Sequence, residues 1–388
     1  MRIAVVHDYL TQAGGAERVV KAWARGLRPD SISTLVWNAE GVPVPGGVPV
    51  FTTRLQRSSA LVRDPRLALP FLPGYARGLH VPESSDVVLV SSSGFAHNVE
   101  TSVPKVIYWH SPARWLHAAE DYRMGLPLPI RAGLKVLRPY LTRTDRRGVD
   151  SAAVHLCNSR HVQRRLLAAY GIEARVVHPP VEGLPGPAEQ PRTPLPDRFF
   201  LTVGRQRGYK NTSMVLAAAE QAGVPVVSVG GTPEATANAR GGHIGLGAVS
   251  DAELKWLYGH AEALVSASRE DFGLTPLEAN LEGTPALVAG TGGFLDSVVP
   301  GVNGSFFAPE SVDACADALR NFRRADFRDE VCRAHAEANF SLEGHVQELR
   351  AALSTAVAGS PAPVHAIPRP RPWPAAFPLI PRTVPEEG

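Results

Sequence analysis

Short apolar runs alternate with longer polar or amphipathic segments along most of the chain. Apolar runs that are separated by helix-length segments are typical of parallel strands joined by crossover helices. The runs in the first half are Ile3–His7, Ser33–Trp37, Asp86–Val90, Lys105–Trp109 and Ala152–Cys157. The runs in the second half are Phe199–Val203, Val224–Val229, His243–Leu246, Ala263–Ser266 and Ala286–Val288. The pattern predicts an α/β chain with two parallel sheets.

A proline-dense segment divides the two sets of predicted strands. Seven prolines lie between Pro179 and Pro196. Proline lacks a backbone N–H and fixes φ, so neither a helix nor a central strand fits there. We therefore predict an N-terminal domain over 1–178, a linker over 179–198 and a C-terminal domain over 199–341.

The end of the chain divides into two parts. The segment 342–358 contains an amphipathic stretch, Leu342–Val357, which is expected to form a helix that closes the second domain. The tail 359–388 carries nine prolines, too many for a packed element. We expect the tail to be extended or disordered.

Composition narrows the class of protein. The 388 residues include 40 Lys+Arg and 37 Asp+Glu, and a net charge of +3 gives no argument for a nucleic-acid partner. Cys157, Cys315 and Cys332 are too far apart for a zinc site or a disulfide framework, which favours a reducing compartment. The N-terminal apolar run is too short for a signal peptide, and no stretch is long enough to cross a membrane. We expect a cytoplasmic protein, with peripheral contact at the inner face of the membrane left open.

Two segments of the first half follow predicted strands, where open parallel sheets bind their ligands. Gly14 and Gly15 stand where a strand gives way to a helix, so backbone N–H groups there suit an anion; a plain tight turn is the alternative. His110 comes directly after its strand and would meet a substrate, or would simply bond its own loop.

A basic loop follows the first strand of the second half. Arg205, Arg207 and Lys210 lie among glycines, and arginine and lysine together suit a diphosphate. A solvated basic loop is the alternative. The segment is therefore a candidate site for the charged part of a ligand.

Two glutamates, Glu270 and Glu278, lie eight positions apart after a later strand. Thr275-Pro-Leu-Glu278 has the pattern of a capping box, which would explain Glu278 without a ligand; Ser250-Asp-Ala-Glu253 has the same pattern. Glu270 has no comparable structural explanation. The free N–H groups of the predicted helix start offer a second anion site.

Neither a metal nor a dinucleotide site is predicted. The chain contains no Asp-x-Asp, no His-Glu-x-x-His and no paired cysteines, and Gly-x-Gly-x-x-Gly is also absent. We expect no metal and no cofactor, so cations and helix N-termini must neutralise a bound phosphate.

Several segments together resemble glycosyltransferase family 4. They are HDYLTQAGGAERVV, YWHSPARWL, HPPV, VGRQRGYKN and REDFGLTPLEANLEGTPALVAGTGG, and the resemblance spans about residues 1–355. It implies the GT-B fold, in which two Rossmann-like domains face each other across a cleft, and transfer with retention of anomeric configuration. GGAER and YWHSP look most like the bacterial mannosyltransferase branch of O-antigen and exopolysaccharide synthesis.

The resemblance also implies roles for individual residues. The glycine loop and the basic pair Arg205 and Lys210 would contact the donor diphosphate. Glu270 would contact the donor sugar, Glu278 would contact the ribose, and His110 would also touch the sugar. The implied catalytic residues are His110, Glu270, Arg205 and Lys210. The implied donor-binding residues are Gly14, Gly15, Arg205, Lys210, Glu270, Phe272, Gly273, Leu274, Thr275 and Glu278.

The predicted function is retaining transfer of a hexose from a nucleotide sugar to an acceptor hydroxyl of a glycan or glycolipid, with mannose and GDP-mannose favoured. The alternatives are a soluble small-molecule acceptor, a sugar-nucleotide epimerase or phosphorylase on the same fold, and a non-catalytic nucleotide-sugar-binding protein. A basic stretch in the predicted acceptor domain would face anionic lipid or form a solvated helix face. Its residues are Arg131, Lys135, Arg138, Arg143, Arg146 and Arg147.

Overall fold

The computed structural model describes residues 1–12, 14–117, 128–204, 210–230 and 242–359. Two sheets, both entirely parallel, organise these residues. Arg205, Arg207 and Tyr209 of the basic loop lie outside the described residues, as does the tail from 360 onward.

The first sheet has the order β3-β2-β1-β4-β5-β6-β7. Its central strands are buried along their whole length, as expected of a parallel sheet that helices cover on both faces. Its strands are β1 (Ile3–His7), β2 (Ser31–Thr34), β3 (Val50–Thr52), β4 (Val87–Ser92), β5 (Lys105–Trp109), β6 (Val154–Cys157) and β7 (Arg175–Val176).

The second sheet has the order β10-β9-β8-β11-β12-β13. Two hydrophobic clusters cover its faces, one around Val265 and Leu287 and the other around Leu201 and Leu264. Its strands are β8 (Phe200–Val203), β9 (Val226–Val229), β10 (His243–Gly247), β11 (Leu264–Ser266), β12 (Ala286–Ala289) and β13 (Gly304–Phe307).

Helices occupy most of the crossovers. Those of the first half are α1 (Gly15–Gly26), α2 (Ser59–Arg63), α3 (Leu72–Arg77), α4 (Arg114–His117), α5 (Leu128–Asp150) and α6 (Arg160–Tyr170). Those of the second half are α7 (Thr212–Ala222), α8 (Asp251–His260), α9 (Thr275–Leu281), α10 (Phe294–Ser297), α11 (Val312–Asn321), α12 (Asp329–Asn339) and α13 (Leu342–Val357).

The predicted two-sheet architecture is confirmed. The predicted runs Ile3–His7 and Lys105–Trp109 coincide with β1 and β5. The apolar pattern missed β3, β7 and β13, because these strands lie at or near sheet edges and have only two to four residues. Edge strands are less buried than central strands, so they lack the long apolar run that is typical of a central strand.

Each sheet has a point at which the strand order reverses direction. In the first sheet it lies between β1 and β4, and in the second between β8 and β11. Loops that leave the two strands at such a point diverge to opposite faces of the sheet and leave a crevice at the carboxyl edge, where α/β proteins bind ligands. The two crevices are therefore the places to look for a site.

The last helix, α13, lies on the first domain, whereas the sequence predicted that it closes the second. Its apolar side chains Leu349, Leu353 and Ala356 join the core cluster that contains β1 and α1. The predicted helix bounds, Leu342–Val357, are those observed. The prediction of the packing partner was wrong, because an amphipathic pattern shows that a helix packs on a core but does not show which sheet it packs on.

One hydrogen-bonded histidine fastens α13 to the first domain. Trp23 Nε1 on α1 donates to His345 Nε2 at 2.8 Å, and His345 Nδ1 donates to the backbone oxygen of His178 at 2.7 Å. His345 is therefore neutral, with its proton on Nδ1. Burial lowers its pKa to about 4.

Two expectations about the chain as a whole concern membranes and cysteines. Within the described ranges no helix combines the length and apolarity needed to cross a bilayer. Cys157, Cys315 and Cys332 are all free thiols and all buried, so they pack as small apolar side chains.

The His345→Phe variant tests the attachment of α13. Phenylalanine keeps the ring stacked on Trp23 but leaves two buried polar groups without partners, which should lower the free energy of unfolding at pH 8 by about 2–4 kcal/mol. Between the usual histidine pKa near 6.5 and about 4, only unfolded wild-type chain takes up a proton at this position, so the wild type loses stability as the pH falls. The difference between variant and wild type should therefore narrow at pH 5.

Denaturant unfolding of both proteins at pH 8 and pH 5 measures this difference. His260→Phe is the matched control, because His260 also stacks on a tryptophan, Trp256, but at the surface. An equal gap between His345→Phe and wild type at both pH values would contradict the neutral assignment of His345.

Candidate functional site

The crevice of the second sheet holds a lysine and a glutamate in contact. Lys210, after β8, places Nζ 2.5 Å from Oε1 of Glu270, which follows β11. Both side chains are largely buried. Two residues that are 60 positions apart in the chain thus meet at the point where the strand order reverses.

The loop that carries Glu270 is held by close backbone packing. Gly273 has φ +86°, and a Cβ on it would lie 2.4 Å from the Phe294 ring. A Cβ on Gly293 would lie 2.2 Å from Phe272 Cα. The backbone N–H of Gly293 donates to the backbone oxygen of Glu270 at 2.9 Å. The glycines therefore allow two loops to touch and fix the direction of Glu270.

Phe272 lies in this loop, and its side chain packs against neighbouring aromatic rings. It is buried in a cluster with Phe340, and its ring also stacks obliquely on His178. Any contact that Phe272 makes with a ligand would have to come from its backbone.

Glu278 is not part of a capping box, contrary to the sequence pattern. Helix α9 begins at Thr275, its N-cap is Leu274, and no side chain caps it. The Glu278 carboxylate instead accepts from Tyr258 Oη at 2.9 Å and from the Arg18 guanidinium. The capping explanation fails because Thr275 is the first residue of the helix and not its N-cap, so Glu278 does not stand at the position that a capping box requires. The capping box at Ser250 and Glu253 is present as predicted.

The start of α1 faces this part of the second domain. Gly14 is the N-cap, and a Cβ on Gly15 would lie 3.7 Å from Leu274 Cδ1. A Cβ on Gly14 would lie 2.5 Å from Glu17 Oε2, so a side chain there would require the end of the Glu17 side chain to move. The predicted glycine pair, Leu274 and the start of α9 are thus brought together across the cleft.

Arg18 ties α1 to the second domain. Its ion pair with Glu278 joins residues 260 positions apart, and the pKa of Arg18 is raised, chiefly by the charge of Glu278. Glu278 is 5% exposed. A carboxylate buried to this degree needs such partners.

Asp271 forms a second bridge, which the sequence analysis did not assign. Its carboxylate accepts from Arg114 and Arg165 of the first domain, and its backbone oxygen accepts from Ser159 Oγ at 2.5 Å. Ser159 also caps α6, where its Oγ accepts from Val162 N. The only sequence signal was an acidic residue next to Glu270 in a loop after a strand.

The crevice of the first sheet contains His110. Its Nε2 lies 2.8 Å from Ser91 Oγ, which in turn lies 2.9 Å from His7 Nδ1. Burial holds the pKa of His110 well below its usual value, and His7, Arg114 and His345 add to the effect. His110 is therefore a neutral imidazole at physiological pH.

Asp8 shapes this crevice, and sequence reasoning missed it. Its carboxylate accepts hydrogen bonds from four backbone N–H groups of the loop after β4, at 2.6–2.9 Å, so it fixes the course of that loop. The donors are Ser93, Gly94, Phe95 and Ala96. An aspartate directly after a strand was the available signal.

The described residues contain no group of three or more His, Cys, Asp or Glu side chains that is arranged to hold a metal ion. The cations Lys210 and Arg18 and the start of α1 stand instead near the carboxylates of the second domain. Such an arrangement binds an anionic ligand through nitrogen donors.

Two family descriptions match the chain. Residues 13–182 match Glycosyltransferase Family 4, and residues 188–337 match Glycosyl transferases group 1. The boundary between the two matches falls inside the proline-dense segment.

Curated relatives are D-inositol 3-phosphate glycosyltransferases. The protein from Mycobacterium avium is 31% identical over 247 residues, covering 56% of this chain and 58% of the relative. The protein from Mycobacterium bovis is 28% identical over 317 residues, covering 73% of this chain and 64% of the relative. The chain thus spans less than two thirds of the length of these relatives.

Solved structures share the fold at low identity. Anabaena HepE in complex with UDP-glucose has a TM-score of 0.63 at 16% identity, over 92% of this chain and 100% of HepE. Sucrose-phosphate synthase from Thermosynechococcus elongatus has a TM-score of 0.68 at 14% identity, over 93% and 100%. The chain therefore has the GT-B fold, with one segment similar to Glycosyltransferase Family 4 and a second similar to Glycosyl transferases group 1.

Proposed function

We propose that the protein is a glycosyltransferase that moves a hexose from a nucleotide diphosphate sugar to an acceptor hydroxyl, with retention and without a metal. The observation that carries the proposal is the Lys210–Glu270 pair at the crevice of the second sheet, opposite the glycine start of α1. The matched families and the names of the relatives support the transferase class.

The proposed donor lies across the second domain. Its diphosphate lies by Lys210, the predicted partner Arg205 and the N–H groups at the start of α1, and its ribose hydroxyls donate to Glu278. Glu270 accepts from hydroxyls of the sugar. Each assignment matches a donor to an acceptor, with cations on phosphate and carboxylates on hydroxyl groups.

Charge development explains the chemistry. Breaking the glycosyl–phosphate bond leaves positive charge on the sugar and negative charge on the diphosphate. Lys210 and the helix start neutralise the leaving group where this charge appears, which lowers the barrier. In the proposed front-face reaction, the leaving phosphate oxygen takes the proton of the acceptor hydroxyl, so no protein side chain acts as the nucleophile.

The proposed acceptor is a glycan or glycolipid that binds to the first domain. Helix α5 presents a basic groove lined by Lys135, Arg138, Arg143, Arg146 and Arg147. Val136 on the same helix is 77% exposed. A basic surface with an exposed apolar residue suits an anionic lipid-linked acceptor. The name of the curated relatives adds a phosphorylated inositol to the acceptors to be tested.

A donor screen tests the proposal directly. Wild-type protein is incubated with GDP-mannose or UDP-glucose and an acceptor, and release of nucleoside diphosphate and the anomeric configuration of the product are measured. We expect transfer with retention, GDP-mannose preferred, and equal rates with and without EDTA. Turnover of the donor without an acceptor would indicate an epimerase, and no thermal stabilisation by any nucleotide sugar would overturn the proposal.

Lys210→Ala should lower kcat/KM about 100-fold, because one charge that stabilises the leaving group is lost. Steady-state kinetics measure the effect, and circular dichroism checks the fold. Lys255→Ala is the matched control. Lys255 lies in the same domain, but its ammonium group donates hydrogen bonds to the backbone oxygens of Leu184 and Gly186. Wild-type kinetics in Lys210→Ala would remove the diphosphate assignment.

Glu278→Gln should weaken binding of the nucleoside diphosphate about 10–100-fold, because charge-assisted hydrogen bonds to the ribose become neutral ones. Isothermal titration calorimetry with GDP and UDP measures the dissociation constants. The control is Glu282→Gln, which changes a glutamate directly after α9. If both variants bind nucleotide like the wild type, Glu278 does not contact the ribose.

A further inference from the structure

Three side chains form a hydrogen-bonded chain in the crevice of the first sheet. His7 ends β1, Ser91 lies near the end of β4, and His110 directly follows β5. His7 Nδ1 lies 2.9 Å from Ser91 Oγ, and Ser91 Oγ lies 2.8 Å from His110 Nε2. All three are at least nine-tenths buried. The chain thus runs across the point where the strand order of this sheet reverses.

The first link has a fixed direction. His7 Nδ1 also lies 3.3 Å from the backbone oxygen of Ser91. A carbonyl oxygen only accepts hydrogen bonds, so Nδ1 carries the proton and donates to Ser91. His7 Nε2 is buried and has no partner among the described residues, so the contacts with Ser91 set the orientation of this ring.

The second link follows from the first. Ser91 Oγ has one proton, and the two histidine nitrogens are its only hydrogen-bond partners within the described part of the chain. Because His7 already donates to it, the hydroxyl proton has His110 Nε2 as its acceptor. A buried hydroxyl without an acceptor would be unfavourable, because its desolvation would not be compensated. His110 then carries its own proton on Nδ1.

We propose that His7 and Ser91 are positioning residues that hold His110 as a neutral imidazole with Nδ1–H free to donate to a hydroxyl of the bound donor sugar. The contact with the sugar rests on the proposed function, whereas the position of the proton does not. The three residues come from three strands, so the sheet itself sets the direction of the donor.

The surroundings of His110 favour the same protonation state. The titratable and charged groups that face it are His7 from β1, Tyr108 from β5, Arg114 from α4 and His345 from α13. None of these groups is an acid that is charged at neutral pH. Burial, followed by the histidines and Arg114, keeps the pKa of His110 low.

A second serine–histidine pair on β4 provides a matched control. Ser92 Oγ lies 2.9 Å from His97 Nδ1, and both residues are fully buried. Ser92 points to the opposite face of the strand, and His97 contacts Asp145 rather than the crevice. Ser92→Ala therefore removes the same kind of hydrogen bond without touching His110.

The test compares Ser91→Ala and His7→Leu with Ser91→Thr, His7→Asn and Ser92→Ala. Nitrogen-15 NMR of the full-length protein reads the tautomer of His110, and kcat/KM is measured from pH 5.5 to pH 9. In the wild type we expect His110 protonated on Nδ1. Ser91→Thr keeps the hydroxyl and His7→Asn keeps an N–H near the place of Nδ1, so both should restore that tautomer.

The sign of the pH effect follows from the lost donor. Without the Ser91 hydroxyl the neutral form of His110 loses a hydrogen bond, so the pKa of His110 rises. The acid limb of kcat/KM should then move to higher pH, with a loss of about tenfold at pH 8 and a larger loss at pH 6. Ser92→Ala should leave the pH profile unchanged.

Three results would overturn the proposal. They are a wild-type His110 protonated on Nε2, a Ser91→Ala profile equal to that of the wild type, and equal losses at every pH in Ser91→Ala and Ser92→Ala. If the wild type transfers no sugar but NMR shows the expected tautomer and its loss in Ser91→Ala, the proposed function fails while the positioning of His110 is supported.

Discussion

Ion pairs between arginines of the first domain and carboxylates of the second hold the cleft together. Arg18 binds Glu278, and Arg114 and Arg165 share Asp271. Each carboxylate is largely buried and has its charge met from the other side of the cleft. The position of every proposed donor contact depends on these pairs, because they set how close the start of α1 comes to α9. A buried carboxylate that loses such a partner is strongly destabilised.

A further ion pair, within the second domain, prepares the proposed site for an anion. Glu270 holds Lys210 in the crevice, so the ammonium need not be ordered when a diphosphate binds. The second arginine at Asp271 leaves an excess of positive charge beside that carboxylate. The proposed diphosphate would thus meet cations that are already positioned, which is the arrangement that stabilises a leaving group most effectively.

Sequence patterns predicted the central strands and the residues at their carboxyl ends, because burial on both faces leaves a continuous apolar run. They failed where the answer depends on a distant partner. Thr275 and Glu278 fit a capping box in the sequence, but the N-cap in the structure is Leu274, and the Glu278 carboxylate accepts from Tyr258 and Arg18 instead. Helix α13 has the predicted bounds but packs on the other sheet. Arg205 lies outside the described residues, so its role stays a prediction.

The protonation state of His110 shows why such distant partners matter for function. The residue could be predicted from its place after β5, but its tautomer depends on Ser91 and His7, from strands whose sequences carry no catalytic signal. Positive charge develops on the sugar during the proposed reaction, and a like charge 4 Å away is unfavourable by about 4 kcal/mol at an effective dielectric constant of 20. A neutral histidine avoids this repulsion while it still donates a hydrogen bond. Burial and the hydrogen bond from Ser91 therefore keep positive charge away from the sugar, while the cations across the cleft lie where the proposed diphosphate gains negative charge.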